Sequence, residues 1–136
     1  MKVVLDTNAL LASFARKSPY RLIFDALLAE KIDLYVSTEI LLEYEEIISQ
    51  KATPLIAQNV MELLTNLPNS YLQEVWFRWN LISEDPDDNK FTDCTLAAGA
   101  DYLVTNDKHF GVLLDLTFPP LRIISIQAFR DIIMNG

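Results

Sequence analysis

The sequence is poor in the residues that build disulfide frameworks and zinc sites. Its 136 residues include one cysteine and one histidine. A lone cysteine cannot form an intramolecular disulfide, and one histidine with one cysteine effectively excludes a Cys/His zinc site. Cys94 is therefore expected to be a small buried hydrophobe. The missing disulfides indicate a reducing compartment, so we expect a cytoplasmic protein.

Long apolar runs and a basic leader are also missing. No stretch approaches the roughly 18 consecutive apolar residues that a spanning helix needs, and the first residues, Met-Lys-Val-Val-Leu, have the character of a strand. We expect no membrane span and no targeting signal. With 51% hydrophobic residues, the chain is expected to form a single domain over residues 1–136.

Positive charge is scarce as well. Eleven lysines and arginines face nineteen acids, which gives a formal net charge of −8. This balance argues against a protein that holds nucleic acid through a broad basic surface. Acids that surround divalent cations would be locally neutralised, however, so the total charge does not exclude a nucleic-acid substrate.

What the sequence does contain is an alternation of short apolar, β-branched segments with segments of helical periodicity. Val3-Val4-Leu5, for example, is typical of a strand buried on both faces. The alternation predicts an α/β fold with a central parallel sheet of four to five strands, flanked by helices on both sides. The predicted strands are Val3–Leu5, Asp33–Ser37, Tyr102–Thr105 and Arg122–Ile124; the predicted helices are Asn8–Ala15, one starting at Ser18-Pro19, one capped by Ser37 or Thr38, Pro54–Leu67, Ser70–Trp79, Lys90–Ala100 and Gln127–Met134.

Two of the predicted strands end in an acid. Asp6 follows Val3-Val4-Leu5, and Asp107 follows the strand that begins at Tyr102. If the two strands are neighbours in a parallel sheet, both acids face the crevice at the carboxyl ends of the strands. Taken alone, Asp6 is more simply explained as a turn or helix-capping residue.

Three further acids lie on predicted helices. Glu43 borders an apolar stripe, where a carboxylate is costly to desolvate unless it meets a cation or hydrogen-bond donors; a solvated position at the helix shoulder is the alternative. Asp93 lies among small side chains that allow its helix to approach the sheet closely. Asp88, with Asn89, falls at the start of that helix, where capping is an alternative explanation.

Clustered carboxylates call for a compensating charge. Within about 4–6 Å of one another they raise each other's pKa, so a bound cation is the economical explanation for a cluster. The candidate ligands are all oxygens, which favours Mg²⁺ or Mn²⁺, one or two ions, over zinc. Such ions can activate water and stabilise charge on a phosphoryl group.

Four segments of the chain resemble the PIN-domain ribonucleases, among them the VapC-like toxin components of prokaryotic toxin–antitoxin pairs. The segments are Val3–Asn8, Ser37–Glu43, Asp85–Ala100 and Ala100–Asp107, in the order that the family has them. The resemblance implies cleavage of single-stranded RNA by metal-activated water, leaving a 5′-phosphate and a 3′-hydroxyl. It also implies a small antitoxin protein that places basic residues in the acidic pocket.

The same resemblance assigns roles to individual residues. Either Asp88 or Asp93 is the dominant third acid, and this choice stays open. Asn106 stands where relatives often have glycine, and asparagine tolerates the unusual backbone angles of such a turn. The implied catalytic residues are Asp6, Glu43, Asp93 and Asp107; the implied metal ligands are these four with Asp88; the polar supports are Asn8, Thr105 and Asn89.

Basic and aromatic side chains supply further candidates. Five basic residues near the acidic motifs or after the first helix could contact phosphates, with solvated surface charge as the alternative. An aromatic cluster lies between the second and third predicted strands. The cluster predicts core packing or a homodimer face, with base stacking as the alternative. His109 receives little weight as a general base, because the metal already activates water. The candidate phosphate contacts are Arg16, Lys17, Arg21, Lys90 and Lys108, and the aromatic cluster is Trp76, Phe77 and Trp79.

Two other functions remain open at this point. The first is phosphoryl transfer to Asp6, because a strand-end Asp-Thr-Asn loosely resembles the nucleophile of haloacid-dehalogenase-type enzymes. That family has a second aspartate two residues later, where this chain has Asn8. The second is a non-catalytic module whose pocket only binds basic residues of a partner, and the presence of all four acids argues against it.

Overall fold

The structure is a computed structural model that describes residues 1–82, 86–113 and 118–136. Asp85, the first residue of the third segment that resembles the PIN domains, lies outside these ranges. Within them, every helix is too short or too polar to cross a membrane.

A parallel sheet of five strands forms the centre of the described fold, which confirms the predicted α/β architecture. The strands are β1 (Lys2–Leu5), β2 (Asp33–Val36), β3 (Ser70–Leu72), β4 (Tyr102–Val104) and β5 (Ile123–Ile124). Their spatial order is β3-β2-β1-β4-β5, and all four pairings are parallel. The chain therefore adds β2 and β3 on one side of β1, and then adds β4 and β5 on the other side. The crevice between β1 and β4 is the switch point where ligands bind in open α/β sheets.

Helices α1 to α6 flank the sheet in the described residues. They are α1 (Thr7–Phe14), α2 (Arg21–Leu28), α3 (Thr38–Lys51), α4 (Pro54–Asn66), α5 (Asn89–Ala98) and α6 (Ile126–Asn135). Helix α5 packs against β1, β2 and β4, while α2 packs against α1 and α6, and α3 against α4. Ser37 caps α3 as predicted, since its side chain accepts a hydrogen bond from the Ile40 amide. Cys94 is fully buried in the core, also as predicted, and burial raises the pKa of its thiol to about 12.

The second helix begins later than predicted. Ser18 is not its cap, because α2 starts at Arg21. The Ser18 hydroxyl instead accepts a hydrogen bond from the Tyr20 amide at 3.0 Å and donates one to the carbonyl of Ala12. Ser18-Pro19 therefore stabilises the turn between α1 and α2, which is a common alternative use of serine side chains.

The predicted helix Ser70–Trp79 is wrong. Its first three residues form strand β3, and the chain then runs on without regular structure to residue 82. Buried Asn69 fixes the start of the strand, since its Nδ2 donates to the carbonyls of Leu27 at 2.9 Å and Ile32 at 2.7 Å. Tyr71 then stacks on Tyr35 of β2, with 4.9 Å between ring centroids. Tertiary pairing therefore overrides the helix-like apolar pattern.

The aromatic cluster that follows β3 does not pack in the core. Trp76 is 87% exposed and Phe77 64% exposed, so the core alternative is wrong for these two residues. Trp79 is half-buried and makes edge-to-face contacts with Phe77 and Phe118, at centroid distances of 4.8 and 5.8 Å. The cluster is therefore a surface feature.

Replacing Asn69 with alanine is expected to destabilise the protein by about 1–3 kcal/mol, because two buried carbonyls lose their donor. Chemical unfolding followed by circular dichroism measures this change. Asn59→Ala, at an exposed position of α4, is the matched control and should alter the unfolding free energy little. Equal effects of the two variants would contradict a fastening role for Asn69.

Candidate metal centre

Asp6 lies at the carboxyl end of β1, beside the end of β4. Its neighbourhood follows from the register, which pairs Leu5 with Val104. One carboxylate oxygen, Oδ1, accepts a hydrogen bond from the Ala9 amide at 2.7 Å, and Oδ2 accepts one from the hydroxyl of Thr105. Asp6 thus caps α1, and it also points a 5% exposed carboxylate at the β1–β4 crevice.

Burial raises the pKa of Asp6 to about 6. The hydrogen bonds from Thr105 and Ala9 oppose this shift, while the negative charges of Asp107 and Asp88 add to it. Two other acids are therefore close enough to act on Asp6. The ionised carboxylate is held in a place where a cation would relieve both its burial and its neighbours.

Asp107 and His109 lie in the turn that follows β4. The Asp107 amide donates to Thr105 Oγ1 at 3.0 Å, and the His109 amide donates to Asp107 Oδ1 at 2.9 Å. Potential ligand atoms of Asp107, His109 and Asp88 all lie within 4.8 Å of one another. Two residues of the turn and one residue from the start of α5 therefore form a group of three potential ligands.

Asp88 reaches this group from the start of α5. It occupies the capping position of the helix, yet its side chain makes no capping hydrogen bond. Its Oδ2 lies 3.2 Å from His109 Nδ1 instead. Capping therefore does not explain an acid at this position.

Glu43 lies on α3 and is linked to the first turn of α1. The Thr7 hydroxyl donates to one of its oxygens, and the other lies 2.7 Å from Lys90 Nζ. The next residue, Tyr44, donates its hydroxyl to the Leu5 carbonyl and so fastens α3 to the strand that carries Asp6. The half-buried carboxylate of Glu43 thus contacts both a hydrogen-bond donor, Thr7, and a cationic side chain, Lys90.

Asp93 makes contacts that differ from those of Asp6 and Asp88. It is 3% exposed, and its Oδ1 accepts a hydrogen bond from the Trp79 amide at 3.0 Å. Burial raises the pKa of Asp93, while the Trp79 amide and the charge of Arg78 oppose the shift, and Glu39 adds to it. These neighbours differ from those of Asp6, so Asp93 is a residue that anchors the 73–82 segment to α5.

Asn89 has the same kind of role one turn earlier. Its side chain accepts from the Ile82 amide at 2.8 Å and donates to the Ile82 carbonyl at 2.9 Å. Together with Asp93 it forms a face of α5 that binds backbone. The neighbouring residues Asp88 and Lys90 contact His109 and Glu43 instead.

The remaining predicted residues are distributed over the surface. Arg21 is engaged by Asp25, at 3.0 Å, and by the Phe14 carbonyl, at 2.5 Å. Asn106 needs no left-handed backbone, since in the described ranges only two residues other than glycine have a positive φ, and Asn106 is not one of them; its Oδ1 accepts from the Ile126 amide at 2.9 Å. The exposed predicted residues are Asn8, Arg16, Lys17 and Lys108.

Sequence reasoning missed Thr7 and Tyr44 and undervalued His109. The first two have signals that could have revealed them. Thr7 directly follows the strand-end acid, and Tyr44 is the one polar-tipped residue in an apolar stripe of α3. A buried tyrosine hydroxyl needs a partner, and here the partner is the backbone of β1.

The donor set fits a hard divalent cation. Three carboxylates converge at the β1–β4 crevice, from Asp6, Asp88 and Asp107, with Glu43 next to them through Thr7. Oxygen ligands at this density suit Mg²⁺ or Mn²⁺.

The fold and this crevice define the class of protein. Residues 2–109 match the PIN domain family, and the chain therefore belongs to that family. A chain of the structure described as "Crystal structure of VapBC2 from Rickettsia felis bound to a DNA fragment from their promoter" has the same fold, with a TM-score of 0.63 and 16% identity. The likeness covers 92% of this chain and 98% of that one. No curated protein matches the sequence.

Replacing Asp6 with asparagine is expected to stabilise the metal-free protein at pH 7.5 by about 1–3 kcal/mol, because the ionised carboxylate is unfavourable where it is buried. The folded-state pKa of about 6 lies above the ordinary value of 3.8, so the stability contributed by protonated Asp6 is fully present below that ordinary value and is lost as the pH rises through 6. The advantage of Asp6→Asn should shrink as the pH falls towards 4.

Unfolding in chelator at several pH values measures this difference. Asp131→Asn, at an exposed position of α6, is the control and should show no comparable trend. A variant at position 6 that is less stable than the wild type at pH 7.5 would contradict the unfavourable burial of the charge.

Proposed function

We propose that this protein is a metal-dependent endoribonuclease that cleaves single-stranded RNA by metal-activated water, and that it is the toxin of a toxin–antitoxin pair. The observation that carries the proposal is the convergence of Asp6, Asp88 and Asp107 on the crevice at the β1–β4 switch point. Membership of the PIN domain family supports nuclease activity. The fold shared with a chain of a VapBC complex supports the toxin assignment.

In this proposal the acids hold the cation and orient it towards the substrate. Bound Mg²⁺ or Mn²⁺ supplies a Lewis acid that generates hydroxide from water and stabilises charge on the phosphoryl group. Asp6 is fixed by two hydrogen bonds, so its carboxylate is preorganised and cannot rotate away. Thr105 holds Asp6 and the Asp107 amide through one hydroxyl, which sets the spacing of the two acids.

We assign the third acidic position to Asp88 rather than to Asp93. Asp88 acts on Asp6 and lies beside Asp107 and His109, whereas the charged neighbours of Asp93 are Arg78 and Glu39. Glu43 is the fourth acid of the proposed set.

The assignment of the acids is tested by single Asp→Asn variants incubated with end-labelled single-stranded RNA and Mn²⁺. Asp6→Asn, Asp88→Asn and Asp107→Asn are expected to slow cleavage by about 100-fold or more, as loss of a preorganised charge does at other active sites. Asp93→Asn keeps an acceptor for the Trp79 amide and should cleave close to the wild-type rate. It is the matched control, because it changes the same kind of charge at a buried position of the same helix as Asp88.

Two results would overturn parts of this proposal. Equal cleavage by wild type and Asp6→Asn would contradict the nuclease function. Loss of activity in Asp93→Asn, with activity retained in Asp88→Asn, would transfer the third position to Asp93.

Lys90 is the proposed phosphate contact among the basic candidates. Its ammonium is largely buried against Glu43, beside the acids, so it can reach a phosphate that lies at the crevice. Lys108 follows Asp107 directly and is exposed, which suits a second contact. Arg21 is a weaker candidate, because its partners are Asp25 and the Phe14 carbonyl, whereas the partner of Lys90 is an acid of the proposed set.

Lys90→Ala is expected to raise KM for RNA about 10-fold, which corresponds to one hydrogen bond to a charged group of about 1.5 kcal/mol. Initial rates over a range of RNA concentrations measure it. Lys17→Ala is the control for a lost surface charge, and Lys90→Arg should restore part of the affinity. An unchanged KM in Lys90→Ala would remove Lys90 from the substrate site.

The alternative of phosphoryl transfer to Asp6 is weakened by the surroundings of that residue. Both of its carboxylate oxygens accept hydrogen bonds, which hold the side chain in one orientation at the start of α1. The residue two positions later, Asn8, is exposed and offers no acid. A non-catalytic module is the conclusion if Mn²⁺ neither binds nor supports cleavage.

The proposed partners are a small antitoxin that places basic residues in the acidic crevice and a second copy of this chain. Exposed apolar side chains support a protein interface, since such groups are seldom left uncovered on one surface. Growth arrest on expression, relieved by the product of the adjacent reading frame, supports the antitoxin; light scattering that finds only monomer at micromolar concentration contradicts the homodimer. The apolar side chains concerned are Leu72, Trp76, Phe77 and Phe118.

A further inference from the structure

The single histidine of the chain lies between two of the proposed metal ligands. His109 Nδ1 is 3.2 Å from Asp88 Oδ2 and 3.3 Å from Asp107 Oδ1. All three side chains are partly exposed to solvent. A ring nitrogen therefore faces the same point as the two carboxylates.

The backbone sets this position of the ring. The Asp107 amide is held by Thr105, and the His109 amide is held by the Asp107 carboxylate, at 3.0 and 2.9 Å. The next residue, Phe110, is 1% exposed and anchors the 3-10 helix Lys108–Leu113 in the core. The backbone on both sides of the imidazole is thus held in place, so a bound ion would need to order little of the chain.

We propose that His109 is a ligand of the divalent cation, and that it binds through Nδ1 together with the carboxylates of Asp88 and Asp107. This inference rests on the proposed function, because it concerns the ion of the same site. It changes the chemistry of the centre from an all-oxygen set to a mixed nitrogen and oxygen set.

A nitrogen ligand alters the choice of metal. Mg²⁺ prefers an octahedron of oxygens and keeps several waters, whereas imidazole suits first-row transition metals. The ratio of the affinity for Mn²⁺ to the affinity for Mg²⁺ is therefore larger than a site of carboxylates alone would have. His109 is the residue that determines this preference.

Electron spin echo envelope modulation of the Mn²⁺-loaded full chain tests direct ligation. The chain has one histidine, so in protein without a histidine tag a directly bound imidazole nitrogen can only come from position 109. Wild type is expected to show strong modulation from ¹⁴N, and His109→Asn is expected to lose it while still binding Mn²⁺.

Two outcomes overturn the proposal, and they are distinguishable. Mn²⁺ that binds the wild type without ¹⁴N modulation sinks the role of His109 and leaves the proposed nuclease intact. A wild type that binds no Mn²⁺ at all removes the metal centre and the role of His109 with it.

Calorimetric titration with Mn²⁺ and with Mg²⁺ tests the selectivity. His109→Asn is expected to weaken Mn²⁺ binding by about 10- to 100-fold, the range typical when the surroundings of a metal site are altered, and to change Mg²⁺ binding far less. Gln58→Ala, at an exposed position of α4, is the control and should bind both ions as the wild type does. Equal weakening for both ions would contradict selection by the imidazole, and thermal unfolding of the metal-free variants checks that each is folded.

Discussion

The parallel pairing of β1 with β4 is the constraint on which the site depends. It sets Leu5 beside Val104, so the two chain segments that leave these strands do so side by side. Asp6 and Thr105 are then in hydrogen-bond contact although they are far apart in sequence. Because β4 is added on the opposite side of β1 from β2, the two exits diverge and leave a crevice between them.

Gathering acids in this crevice is unfavourable, and the surrounding residues reveal how the fold tolerates it. Asp6 accepts two hydrogen bonds, Glu43 meets a hydroxyl and a lysine, and Asp107 accepts from a backbone amide. Each of these contacts offsets part of the desolvation and the mutual repulsion. They also fix the direction of each carboxylate, so the groups that reduce the cost of the cluster are the same groups that organise it for a cation.

Much of the sheet could be predicted from the sequence, because its central strands are apolar on both faces and stand between clear turn residues. Strand β3 could not, since Ser70–Leu72 is short and exposed and is followed by an apolar series of helical spacing. Its conformation comes from Asn69 and from pairing with β2, which are long-range contacts that a local pattern does not contain.

Some residues of the site could likewise be predicted from the local sequence, whereas others depend on long-range contacts. Asp6 and Asp107 were predictable from their place at the ends of buried strands, a position that periodicity reveals. The choice between Asp88 and Asp93 was not, because both lie close to the start of α5 and the sequence does not show which side of the helix the 73–82 segment covers. In the structure the Trp79 amide of that segment donates to Asp93, whereas Asp88 lies beside His109. His109 attracted little notice because its significance lies in its distance to two acids rather than in its neighbours along the chain.

The contact between Asn106 and α6 connects the turn that carries Asp107 with the last helix. The match to the PIN domain family ends at residue 109, yet the side chain just before Asp107 holds the first amide of a helix beyond that limit. The final helix thus shares a fastening point with the turn that carries an acid of the crevice. A substitution in α6 can therefore shift the turn that carries Asp107 without altering any acid of the crevice.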